Sequence, residues 1–101
     1  MLKLALFVRL EAKQGKEAAV EQFLQAGLEL ATKEARTPLW FALKLGPSSY
    51  GVFDAFTDET ARQAHLTGPI AAALMAQAPE LFSSPPAIEP IELLGVKLDV
   101  K

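Results

Sequence analysis

Asp54, Phe56 and His65 carry most of the reactive potential of this chain, and they lie within one short stretch. A carboxylate and an aromatic two residues apart on a strand project to the same side. The histidine follows one short helix later, in Ala64-His65-Leu66, so all three can overlook one cavity. His65 is the only histidine, and its unperturbed pKa is the one side-chain value close to neutrality. Two roles are open to it: taking a phenolic proton from a substrate, or donating to a strand or loop carbonyl at the sheet rim. Asp54 on a largely apolar face is costly unless paired. Arg9 and Lys44 are available as structural ion-pair partners, and holding His65 or orienting a substrate hydroxyl is the sharper alternative. Trp40, Phe7, Phe56 and Tyr50 can either clamp a flat aromatic ligand or form an apolar subunit contact. Arg9 would suit an anionic or quinone oxygen.

Much other chemistry is excluded. Without cysteine there is no disulfide and no thiolate. One histidine and no cysteine leave a metal site incomplete. Gly46-Pro47 and Gly68-Pro69 are turn and cap signals, so no phosphate cradle and no nucleotide cofactor are implied. The net charge of −2 comes from scattered charges with no basic stripe, which speaks against a nucleic-acid partner. The apolar start is cut by Arg9 and Glu11, and nowhere do 18 apolar residues run together. A soluble cytoplasmic protein is expected.

The elements that must position these residues follow from periodicity. Leu2, Leu4, Leu6, Val8 and Leu10 alternate with Lys3, Ala5, Phe7, Arg9 and Glu11, which predicts a strand. Gln14-Gly15 opens an amphipathic helix over 16–34, whose stripe is Val20, Phe23, Leu24, Gly27, Leu28 and Ala31. Thr37-Pro38 stops it. Strands follow over 39–45 and 51–57, with Leu45 set opposite Gly51. That register places Leu39, Phe41, Leu43, Leu45, Phe53 and Ala55 on a core face, and Trp40, Ala42, Lys44, Val52, Asp54 and Phe56 on the other. Thr57 is the expected N-cap of a short helix ending near Thr67-Gly68. Pro69 starts another helix, which Pro79 breaks or kinks. A final strand from Ala87 runs toward the C-terminus, with a bulge near Gly95, and its extra length is expected to lie against another chain.

The order strand, helix, strand, strand, helix in two pieces, strand is a split βαβ, ferredoxin-like α+β plan. It describes one domain over 1–101, with a four-stranded antiparallel sheet and its helices on one face. The bare face is expected to show Ala5, Phe7, Trp40, Ala42, Val52 and Phe56. Such a patch calls for a homodimer with the sheets packed together. The chain is half hydrophobic, and at 101 residues it has little interior to hide them.

With these elements in place, the chain resembles the antibiotic biosynthesis monooxygenase (ABM) family of dimeric α/β barrels. The resemblance rests on Val8-Arg9-Leu10-Glu11 running into Gln14-Gly15-Lys16-Glu17, then on Asp54-Ala55-Phe56, Ala64-His65-Leu66, Gly68-Pro69 and Ser84-Pro85-Pro86. It implies a cofactor-independent monooxygenase acting on an aromatic or quinol-type molecule, with His65 and Asp54 as catalytic groups and Arg9, Trp40, Phe56, Phe7 and Tyr50 around the substrate. Asp54-Ala55-Phe56 stands where the family usually has Glu-x-Trp, and Ile70 replaces a frequent second histidine. The chain has no asparagine, which points away from the haem-degrading branch. A non-catalytic module holding a small hydrophobe, or stress-related, and an isomerase of a small oxygenated metabolite are the competing expectations.

Overall fold

The computed structural model describes residues 1–99. Its elements are β1 (Leu4–Glu11), α1 (Glu17–Thr32), β2 (Leu39–Lys44), β3 (Ser49–Phe56), α2 (Glu59–Leu66), α3 (Pro69–Leu81) and β4 (Ala87–Glu92). The four strands form one antiparallel sheet in the order β2-β3-β1-β4, which is the ferredoxin-like arrangement expected. Among the described residues no helix is long and apolar enough to cross a membrane.

Pairing in β1 decides which sheet face is the core. Leu6 pairs with Asp54, Val8 with Val52 and Leu10 with Tyr50, so the apolar side of β1 shares a face with the even-numbered residues of β3. Trp40 pairs with Asp54 and joins the same face. The helices cover this side: Val8, Leu10, Val20, Leu24, Tyr50, Val52, Leu81 and Phe82 form a buried cluster. A smaller cluster joins Leu6, Phe56 and Ala61.

The expected faces are therefore inverted. Trp40, Ala42, Val52 and Phe56 share the helix-bearing face, Ala42 remaining exposed on it, while Phe41, Leu43, Phe53 and Ala55 share the open face with Ala5 and Phe7. The β2–β3 register is also displaced by two residues, with Leu43 rather than Leu45 opposite Gly51. A shift of two keeps the same residues together on each face, so the grouping survives. The inversion arose from keeping Asp54 away from leucines. In the folded chain it stands beside Leu6, and His65 offsets the cost.

Local chemistry sets the element ends. Gly15 has φ +85°, a left-handed conformation that glycine adopts without strain, and it turns the chain into α1. Val20, Leu24, Gly27 and Ala31 make the buried stripe of α1, whereas Leu28 is half exposed. A Cβ on Gly27 would sit 3.4 Å from Trp40 Cζ2 and Cη2, so the bare glycine lets helix and sheet approach around the indole. The N-cap of α2 is Asp58 rather than Thr57: its Oδ1 accepts from the Ala61 N–H at 2.8 Å. Pro69 occupies the first turn of α3, and that helix runs through Pro79 to Leu81.

The last strand is shorter than expected. It ends at Glu92, and residues 93–99 are not in a strand. Leu94, Val96 and Leu98 in this segment are exposed. Glu92 already pairs with Leu4, the first residue of β1, so the neighbouring strand ends where β4 ends. Val100 and Lys101, the end of the expected strand, lie outside the described residues.

Candidate functional site

Three elements bring the site together. Asp54 projects from β3 on the helix-covered face, flanked in register by Leu6 and Trp40. His65 lies four residues after Ala61 on α2, and these two are the buried residues of that helix. Glu34 follows the end of α1, where the Thr37 N–H donates to the Glu34 carbonyl at 3.1 Å and closes a turn.

The result is a carboxylate–imidazole–carboxylate series. His65 Nε2 is 2.9 Å from Asp54 Oδ2, and His65 Nδ1 is 2.7 Å from Glu34 Oε1. The Thr37 hydroxyl donates to the same Glu34 oxygen at 3.0 Å and holds it in place. Side-chain exposure is 1% for Asp54, 6% for His65 and 16% for Glu34, so the series runs from the interior toward the surface. Nδ1 and Glu34 form a hydrogen bond, Nε2 stands at contact distance from Asp54 Oδ2, and Asp54 Oδ1 is buried without a partner. Asp54 Oδ1 therefore keeps its accepting capacity.

Burial disfavours the imidazolium and is the largest single influence on His65. Contacts with Asp54 and then Glu34 together outweigh it, and the pKa of His65 is raised above its ordinary value. Phe56 stacks obliquely on the ring, with centroids 5.4 Å apart.

An apolar cavity of about 160 Å3 opens on the inner side of the series. Asp54, His65 and Trp40 line it together with Leu6, Val52 and residues of α1 and α3 such as Phe23, Leu30 and Leu74. The Trp40 Nε1 is buried and has no hydrogen-bond partner. On the outer side, His65 also borders a surface hollow lined by Glu34, Thr37, Ala61, Ala64 and Pro69. His65 therefore borders two spaces, an apolar cavity and a surface hollow at which Glu34 stands. Among the described residues no group of three or more His, Cys, Asp or Glu is placed to hold a metal ion.

The structure distributes the remaining candidate residues elsewhere. Phe56 is fully buried beside His65 but does not line the cavity. Tyr50 shares the covered face, and its hydroxyl donates to Glu21 Oε2 at 2.7 Å, as does Lys44 Nζ at 2.8 Å. Lys44 is the leading cause of a lowered Glu21 pKa, and the bond to Glu21 raises the Tyr50 pKa. Phe7 and Arg9 lie on the opposite, open face. Arg9 reaches toward Glu11 at 3.8 Å and over the Phe7 ring at 5.7 Å. Neither Arg9 nor Lys44 neutralises Asp54, contrary to the simplest sequence reading: alternation along β1 turns Arg9 away, and Lys44 is engaged by Glu21. The expected carbonyl partner of His65 is likewise replaced by two carboxylates. Glu34 and Thr37 were not singled out in the sequence. The one trace there is an acidic residue just past a helix C-terminus, where the helix dipole disfavours an anion.

No protein-family model matches the chain, and no curated protein matches it. Among solved structures, Rv0793 from Mycobacterium tuberculosis is similar at TM-score 0.77 and 18% identity, covering 97% of each chain. A "putative antibiotic biosynthesis monooxygenase" from Nitrosomonas europaea is similar at TM-score 0.80 and 14% identity, covering 91% of this chain and 90% of its own. The chain thus shares its α+β ferredoxin-like architecture with these structures. NE2512, a protein of unknown function from Nitrosomonas europaea, is 64% identical over 100% of this chain and 98% of its own, with TM-score 0.95. The chain belongs to the same family as NE2512.

Proposed function

We propose that this protein is an ABM-like, cofactor-independent monooxygenase acting on a phenolic or hydroquinone-type small molecule. The observation that carries this reading is the Asp54–His65–Glu34 series on the wall of an otherwise apolar cavity. A buried charged series costs stability relative to apolar packing, and perturbed titratable groups in a cavity mark functional sites.

The substrate hydroxyl donates to Asp54, and its proton is taken up within the Asp54–His65–Glu34 series. The imidazolium of His65 then lies beside the new anion and stabilises it. An electron-rich phenolate ring gives electrons to dioxygen and forms a carbon–oxygen bond. Loss of water from that hydroperoxide leaves a carbonyl. For a hydroquinone the balance is hydroquinone plus O2 to hydroxyquinone plus water, with the four electrons coming from the substrate. Apolar walls favour neutral substrate and dioxygen and keep bulk water from the anion.

A second copy of the chain belongs to this reading. The open face presents Phe41, 52% exposed, with half-buried Phe7, Leu43 and Phe53 around it. Packing two such faces together would remove an apolar patch from water.

Oxygen uptake with a panel of hydroquinones, comparing wild type with Asp54→Asn and His65→Ala, tests the activity. Uptake in the wild type that falls about 100-fold or more in both variants supports it. Binding of the same compounds with no uptake in any would instead favour a module that only holds a hydrophobe.

A further inference from the structure

We propose that the natural ligand is a single-ring hydroxyarene, whose neutral hydroxyl sits between Asp54 and Trp40. This rests on the reading above and narrows its substrate class.

Size sets the first limit. The cavity is about 160 Å3, close to the roughly 150 Å3 apolar cavity known to hold benzene. One aromatic ring fills such a space, and a fused second ring exceeds it. Its lining from α1, α3 and the sheet (Phe23, Leu24, Leu30, Val52, Ile70 and Leu74) suits a flat apolar body.

The polar groups set the second limit. Trp40 and Asp54 are direct partners across the β2–β3 ladder and project to the same side. Such a pair has Cβ atoms about 4.5–5.5 Å apart. The indole Nε1 is a donor only, and an ionised carboxylate is an acceptor only. Both residues line this cavity, and Trp40 Nε1 and Asp54 Oδ1 are buried without a hydrogen-bond partner. A hydroxyl both donates and accepts, so one hydroxyl satisfies the two at once. A bare carbonyl leaves Asp54 unmet, an ammonium leaves the indole unmet, and a carboxylate is repelled by Asp54. Each group left unsatisfied costs about 1–3 kcal/mol, or about tenfold or more in affinity.

Trp40 is the chain's only tryptophan, so its indole N–H gives one unambiguous NMR cross-peak. The experiment titrates wild-type protein with phenol, hydroquinone, anisole, benzoate and 2-naphthol, without oxygen so that binding is read apart from turnover. Saturable movement of that cross-peak is expected with phenol and hydroquinone. Binding should be about tenfold weaker or worse for anisole, which cannot donate, and for 2-naphthol, which is too large. Benzoate should leave the cross-peak unmoved. Anisole binding as tightly as phenol overturns the hydroxyl assignment, tighter 2-naphthol overturns the size limit, and no response to phenol or hydroquinone overturns both. Selective binding without oxygen uptake under air would leave the ligand class standing and remove the oxygenase. Uptake confined to fused-ring quinols would do the reverse.

Discussion

His65 Nε2 and Asp54 Oδ2 stand 2.9 Å apart with almost no solvent on either side chain. Replacing Asp54 by Asn keeps the shape and removes the charge. The His65 pKa should fall in Asp54→Asn, because the leading support of the imidazolium is gone while burial still opposes it. Stability should drop by about 1–3 kcal/mol. The single imidazole resonance, followed through pH, checks the first, and urea unfolding checks the second.

Stability should decline as pH rises through the His65 pKa. That pKa is raised in the folded state. Its contribution is therefore complete below the unfolded value of about 6.5 and disappears as the pH climbs past the folded value. Melting temperatures across this window, compared with His65→Gln, give the measurement. The variant should show a flatter profile, and identical profiles would refute the assignment.

Removing the whole charged pair should cost less than removing half of it. His65→Leu alone strands Asp54 among Leu6 and Trp40, a loss of about 3–5 kcal/mol. Asp54→Leu with His65→Leu replaces the pair by apolar bulk, while Glu34, at the outer hollow, can turn to water. That double variant should be within about 1 kcal/mol of the wild type or more stable. Urea midpoints decide it, and additive losses would mean that the pair is there for stability.

Phe41→Glu should convert a dimer to a folded monomer. Phe41 is already half exposed in the single chain, so a charge there burdens only an association. Light scattering should give twice the chain mass for the wild type and one chain for the variant, with unchanged circular dichroism. A wild-type monomer at micromolar concentration would end the dimer proposal.

Element order was plain in the sequence because each element carries its own period: two in Leu4–Leu10, three and four in Val20–Ala31. Which sheet face the helices would take was not legible. Both faces of β2 and β3 are apolar enough to be core, and only pairing with β1 decides between them. Treating Asp54 as an unwelcome core residue pointed the wrong way. Its compensation comes from His65 on another element, and the second carboxylate, Glu34, is 31 positions from His65. The end of β4 was overestimated because alternation in Leu94, Val96 and Leu98 signals strand capacity, whereas a ladder also needs a neighbour.

The placement of His65 between an oily chamber and a surface hollow has a kinetic corollary. Hydrogen ions can traverse the wall by arriving at one ring nitrogen and departing from the other, with no heavy atom crossing. Acid–base equilibration with the outside is thereby uncoupled from the entry of ligand. In the proposed reaction, the chamber can stay dry while charge is exchanged with the solvent.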